Sequence, residues 1–212
     1  MQSGKIIFLN GVSSSGKTTL AKTLQARLPE PYYWLSVDTF MNMTPEKHMS
    51  NDDDEVIKTI SAMYRTIKTF SDMGLNTVVD DVFSVSQELL DECVEILHEY
   101  PVLFVHVTCP LEELQRREKE RGDRTIGQAE EQLSILLPLD NTYDVTVDTY
   151  NDAKEKCADK IIELLDCHNN YTAFKILWKQ RKQRSISGES TKIRNVCNYV
   201  YRYFSRILQL PC

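Results

Sequence analysis

No C-x-x-C pair occurs among the six cysteines of this 212-residue chain, which are Cys93, Cys109, Cys157, Cys167, Cys197 and Cys212. The four histidines, His48, His98, His106 and His168, show no metal-ligand spacing. A zinc ribbon and a disulfide framework are therefore not expected, and the cysteines read as reduced thiols. Gly and Pro number only seven each, which excludes collagen-like and low-complexity chains. No apolar run approaches the roughly 20 residues that cross a bilayer. The opening run Lys5-Ile6-Ile7-Phe8-Leu9 is too short for a signal peptide, so the expected location is the cytoplasm. The N-K-x-D and D-x-x-G motifs of GTPases are also missing.

What is present is a chain with 42% hydrophobic residues, enough for a sizeable core. Its net charge of −6 hides an asymmetry. From Tyr171 onward there are nine basic residues and one acidic one, a net charge of +8, which leaves −14 for the first 170 residues. We therefore expect a kinase-sized domain over 1–170 and a basic extension over 171–212. So acidic a body argues against nucleic acid as a partner.

The elements alternate. Lys5–Leu9 reads as a buried strand, and Leu20, Leu24 and Leu28 mark a helix that Pro29 and Pro31 stop. Further strands are predicted near Tyr33–Val37, Thr77–Asp81, Val102–Val107 and Val145–Val147. Helices are predicted from Asp52 to Gly74, Leu89 to Leu97, Pro110 to Arg121 and Ala153 to Leu165. This rhythm means an α/β fold, a mainly parallel sheet flanked by helices.

Gly11-Val12-Ser13-Ser14-Ser15-Gly16-Lys17-Thr18 matches G-x-x-x-x-G-K-[ST], placed after the first strand and opening the first helix. Such a loop cradles phosphates with backbone N–H groups and the positive end of a helix dipole. The nucleotide-binding set is thus Gly11, Ser13, Ser14, Ser15, Gly16, Lys17, Thr18 and Thr19. Lys17 reaches the β/γ phosphates of ATP and Thr18 faces Mg²⁺. Without GTPase motifs, and in so short a chain, the reading is a small phosphotransferase with a P-loop kinase fold.

That chemistry asks for a carboxylate beside an acceptor hydroxyl. Asp38, on the sheet rim where open α/β folds bind ligands, is the general-base candidate, with a helix or turn cap as the alternative. One of Asp80 and Asp81 is expected to serve Mg²⁺, and Asp80 is taken with Thr18 as the metal pair, leaving Asp81 to cap the following loop. Arg121 and Arg124 flank Gly122, which breaks a charged helix and leaves both arginines on a lid-like stretch over the phosphates. A solvated helix with Glu/Arg pairs is the alternative.

These residues, with Val79-Asp80-Asp81-Val82-Phe83, Arg117 through Gly122-Asp123-Arg124, and Tyr143-Asp144-Val145-Thr146-Val147-Asp148-Thr149, resemble the chloramphenicol phosphotransferase family over residues 5–165. The resemblance implies an ATP- and Mg²⁺-dependent kinase acting on a hydroxyl of a small molecule, with Asp38 as the base. Phe40–Asp54, which in the family helps shape the acceptor pocket, departs from its pattern here. A kinase of a protein or RNA, and a non-catalytic nucleotide-dependent binding module, are the competing functions.

The tail carries a basic amphipathic pattern from Lys192 to Leu210, with Ile193, Val196, Cys197, Val200, Phe204, Ile207 and Leu208 at three-and-four spacing. It is expected either to pack on the acidic body or to dock on an anionic membrane surface or a protein groove. In the docking case Phe174 and Trp178 are further anchors.

Overall fold

The computed structural model describes residues 2–45, 53–82, 86–121, 126–137, 139, 142–166 and 171–187. Strand β1 (Ile6–Asn10) is buried along its whole length. Ile6 and Phe8 face one hydrophobic cluster while Ile7 and Leu9 face another. This alternation is what a strand covered on both faces must show. The remaining strands are β2 (Tyr32–Ser36), β3 (Asn76–Asp81), β4 (Val102–Thr108) and β5 (Val145–Asp148). They join in the order β2-β3-β1-β4-β5, and every pairing is parallel. The expected parallel α/β sheet is present, with β1 at its centre.

One face is covered by helices α1 (Lys17–Arg27) and α7 (Lys154–Asp166), through Leu20, Leu24, Cys157 and Ile161. The other carries α2 (Val37–Met41), α3 (Asp53–Asp72), α4 (Gln87–Leu97) and α8 (Ala173–Ser187). Val56, Ile60, Met63, Tyr64 and Ile67 of α3 recur at helical spacing and are all buried, so packing of one stripe holds this helix in place. Two further helices, α5 (Leu111–Arg121) and α6 (Gln128–Ile135), stand at the rim. Between them Val12, Leu114 and Ala129 make a small third cluster.

Two differences from the sequence-based expectations have identifiable causes. Strand β2 ends at Ser36, before Val37, because the Ser36 hydroxyl accepts a hydrogen bond from the Thr39 N–H at 3.3 Å and so starts α2. The change of charge sign at residue 170 does not mark a change of packing for residues 171–187. Asp144 accepts hydrogen bonds from the N–H groups of Thr172 (2.8 Å) and Ala173 (3.1 Å) with one oxygen, and from Phe104 N–H (2.9 Å) with the other. The start of α8 is thereby tied to β4. Phe174, expected as an exposed anchor, is 3% exposed, with its ring 5.8 Å from that of Phe8 and 5.3 Å from that of Phe104. Trp178 stacks on His98 at 4.5 Å. The basic face of α8 meets acidic α4 through Arg181–Glu95 (2.5 Å) and Arg184–Asp91 (2.6 Å). An apolar side chain in this stretch gains more from the core than from solvent, which removes both aromatics from the set of membrane or partner anchors. The amphipathic pattern at Lys192–Leu210 lies outside the described residues.

Candidate active site

The loop Gly11–Gly16 leaves the C-terminal end of β1 and turns into α1. Gly11 is required by close approach: a Cβ there would sit 2.4 Å from the Val107 carbonyl oxygen. Gly16 caps α1 with φ of +96°, a conformation that costs a side-chain-bearing residue about 1–2 kcal/mol. No side chain caps α1 and no acidic residue stands in its first turn. The amides of an 11-residue helix are thus presented to the cleft with the positive end of its dipole, which is the arrangement that binds phosphate.

Lys17 is only 7% exposed. Its Nζ donates to the Val12 carbonyl at 3.0 Å and stands 3.8 Å from Asp80 Oδ1. The Thr18 hydroxyl donates to Asp80 Oδ2 at 2.7 Å. Ser13, Ser14, Gly16, Lys17, Thr18 and Thr19 line one cleft together with Ser36, Val37, Asp38, Asp80, Val82 and Arg121. Residues separated by a hundred positions of chain thus meet at the C-terminal edge of the sheet. Gly11 and Ser15 shape the loop from behind, Ser15 being fully buried.

Asp38 lies in the first turn of α2, whose cap is supplied by Ser36 and not by Asp38. The cap role, one of the two readings open in the sequence, therefore has another occupant. Strand alternation separates the two adjacent carboxylates. Asp80 faces the phosphate loop, while Asp81 points to the α3 side, accepting hydrogen bonds from Tyr64 Oη (3.2 Å) and from the Val82 N–H (2.7 Å). Burial pushes the Asp81 carboxyl up to about 7, with the neighbouring Asp80 charge adding to the rise.

Arg121 is the last residue of α5 and reaches the Asp38 cleft from the helix end, not from the stretch after it as expected. Arg124 lies outside the described residues. A second cleft, on the other side of the loop, is lined by Ser14, Gly16, Thr19, Leu20, Arg117, Glu120, Arg121, Thr149 and Lys154. Arg117 and Thr149 were not singled out as site residues. Arg117 donates to Ser14 O (3.3 Å), Thr149 Oγ1 (3.1 Å) and Thr149 O (3.0 Å), and pairs with Glu113 at 2.8 Å. The available signal was its four-residue spacing from Arg121, which puts both guanidinium groups on one helix face.

Among the described residues no cluster of three or more His, Cys, Asp or Glu could hold a metal ion. Thr18 and Asp80 nevertheless offer two oxygen donors side by side, the hard donor type that suits Mg²⁺, an ion that fills most of its coordination with water and phosphate. The described residues also contain no helix long and apolar enough to cross a membrane.

Against known proteins, the model of the chloramphenicol phosphotransferase-like protein family matches residues 4–166. A candidate O-phosphotransferase of Mycobacterium tuberculosis is 30% identical over 152 residues, covering 60% of this chain and 67% of the relative. The adenylyl-sulfate kinase of Clostridium acetobutylicum is 25% identical over 182 residues, covering 79% of this chain and 86% of its own length. Among solved structures, Mycobacterium tuberculosis APS kinase in complex with AMPPNP and APS overlays 78% of this chain and 99% of its own, with TM-score 0.62 and 17% identity. The fold is that of the P-loop kinases, and the sequence relatives are kinases and phosphotransferases.

Proposed function

The chain belongs to the chloramphenicol phosphotransferase-like family, and from that premise we propose that it transfers the γ-phosphate of ATP to a hydroxyl group of a small molecule. The observation that carries this reading is the convergence of Lys17, Thr18, Asp38, Asp80 and Arg121 on one cleft. It supplies, in one place, phosphate-binding cations, an oxygen pair for a metal and a carboxylate for an acceptor.

The roles follow from the chemistry. The amides at the Gly16 end of the loop and in the first turn of α1 hold the phosphates, and Lys17 adds a charge-assisted contact to the β/γ oxygens. Thr18 and Asp80 would hold Mg²⁺, which when bound neutralises charge on the phosphates. Asp38 orients the acceptor hydroxyl and takes its proton as the oxygen attacks the γ-phosphorus. The bond from that phosphorus to the bridging oxygen breaks, and ADP carries away the electron pair. Arg121, with Arg124 from the segment beyond it, counters the charge on the phosphoryl oxygens during transfer. The second cleft, which Arg117 and Thr149 line together with Leu20 and Lys154, takes the nucleoside part of ATP.

An alcohol acceptor is supported by the O-phosphotransferase relative. The test is MgATP turnover measured with and without a panel of hydroxylated small molecules. Acceptor-dependent ADP release, absent in Lys17→Ala, is the expected result. ADP release independent of every acceptor in the panel would count against the assignment.

A further inference from the structure

Helix α6 returns a side chain to the phosphate loop. Gln132 is fully buried, and its Oε1 accepts a hydrogen bond from the Ser13 backbone N–H. Its Nε2 has no hydrogen-bond partner among the described residues, so the Ser13 contact is the polar tie that orients the carboxamide. The helix that carries it is fixed in turn. Glu118 of α5, 1% exposed, accepts from the N–H groups of Gly127 (2.9 Å) and Ala129 (2.7 Å) and so closes the start of α6. The residue before it, Arg117, reaches the Ser14 carbonyl (3.3 Å), and Thr149 Oγ1 donates to the Ser15 carbonyl (2.7 Å). Three consecutive loop residues are thus held from outside, Ser13 by its amide and Ser14 and Ser15 by their carbonyls.

These holds differ in position. Ser13 lines the cleft that contains Asp38, whereas Ser14 and Gly16 line both that cleft and the one beside Thr149. The Gln132 contact therefore fixes the end of the loop on the acceptor side. We propose that Gln132 is a positioning residue, acting through the Ser13 N–H to set the part of the loop that meets the terminal phosphate of ATP. This rests on the kinase reading above. Removing it leaves a buried loop amide without its acceptor and lets that end of the loop shift, while the α1 end, which meets the inner phosphates, keeps its own supports. The consequence is selective for the γ-phosphate. Affinity for MgATP falls relative to MgADP by about 3- to 10-fold, the net worth of one hydrogen bond.

The test is calorimetric binding of MgATP and of MgADP to the full chain, using wild type, Gln132→Ala, Gln132→Met and, as a control, Gln128→Met. Met keeps the side-chain volume and removes the acceptor, so it carries the test if the Ala variant melts early. Gln128, 4% exposed, stands one turn earlier on α6. We expect both Gln132 variants to lose ATP-over-ADP preference by about 3- to 10-fold with MgADP affinity within about twofold of wild type, and Gln128→Met to keep the preference. An unchanged preference in the Gln132 variants overturns the proposal. Tighter MgATP binding does too, since it would mean that Gln132 occupies an amide the nucleotide itself uses. Unfolding of both Gln132 variants would make the residue part of the core and overturn it as well. Wild-type protein that binds neither nucleotide would instead overturn the kinase reading, a failure visible without any variant.

Discussion

Replacing Asp38 by Asn keeps the size of the side chain and removes its ability to take a proton. The helix that carries Asp38 does not depend on its carboxylate for a cap. Ser36 caps α2, and the bond from Asn42 N–H to the Asp38 carbonyl at 3.0 Å is backbone only, so both survive the change. The change also removes one negative charge from the first turn of a helix, a contribution of about 0.3–1 kcal/mol. A positioned general base contributes about 10²- to 10⁴-fold to rate, equivalent to about 2.7–5.5 kcal/mol in the barrier. The catalytic loss thus exceeds the stability loss several times over, and the two are separable. The assay is the initial rate of phosphoryl transfer to the best acceptor from a hydroxyl panel, with MgATP affinity and a thermal melt on the same preparation. We expect near-parental melting and ATP affinity with a rate down at least about 10²-fold. A rate within about threefold of the parent, or a stability loss beyond about 2 kcal/mol, would refute the argument and make Asp38 a structural residue.

Lys17→Ala removes a charge-assisted contact of about 2–3 kcal/mol, so MgATP affinity measured by calorimetry should fall about 30- to 150-fold while the circular dichroism spectrum is kept. Arg121→Ala should lower the maximal rate by about 10²- to 10³-fold and leave ATP affinity much less affected, which steady-state kinetics at saturating ATP will read. Phe174→Ala empties a site between Phe8 and Phe104 and should cost about 3–5 kcal/mol in chemical denaturation. A loss under about 1 kcal/mol would show that α8 does not belong to the core.

The strands and the phosphate loop were legible in the sequence because their signals are local. Ile6 to Leu9 is a short apolar run, and Gly11, Gly16, Lys17 and Thr18 stand at fixed spacing behind it. Asp80 and Asp81 could not be told apart, since adjacent strand residues point to opposite faces and nothing local says which face meets the loop. Helix α8 was hidden by its own lysines and arginines, whose charge read as a separate tail. Ala173, Phe174 and Leu177, at helical spacing, carried the contrary signal. Arg117, Glu118 and Gln132 act across the chain, on Ser14, on Gly127 and Ala129, and on Ser13, and contacts at such separations leave no pattern in a single sequence. Helix α6 has few apolar residues, and its buried side chains include two glutamines, Gln128 and Gln132, so periodicity does not find it.

The central claim is the destination of the γ-phosphoryl group. It is tested most directly by incubating the chain with γ-³²P-labelled ATP, Mg²⁺ and a mixed set of hydroxylated small molecules, protein and RNA, then separating the products by size. The account predicts label in a small organic phosphate ester, formed by wild type and not by Lys17→Ala. Label confined to protein or RNA, or released only as inorganic phosphate, would contradict it.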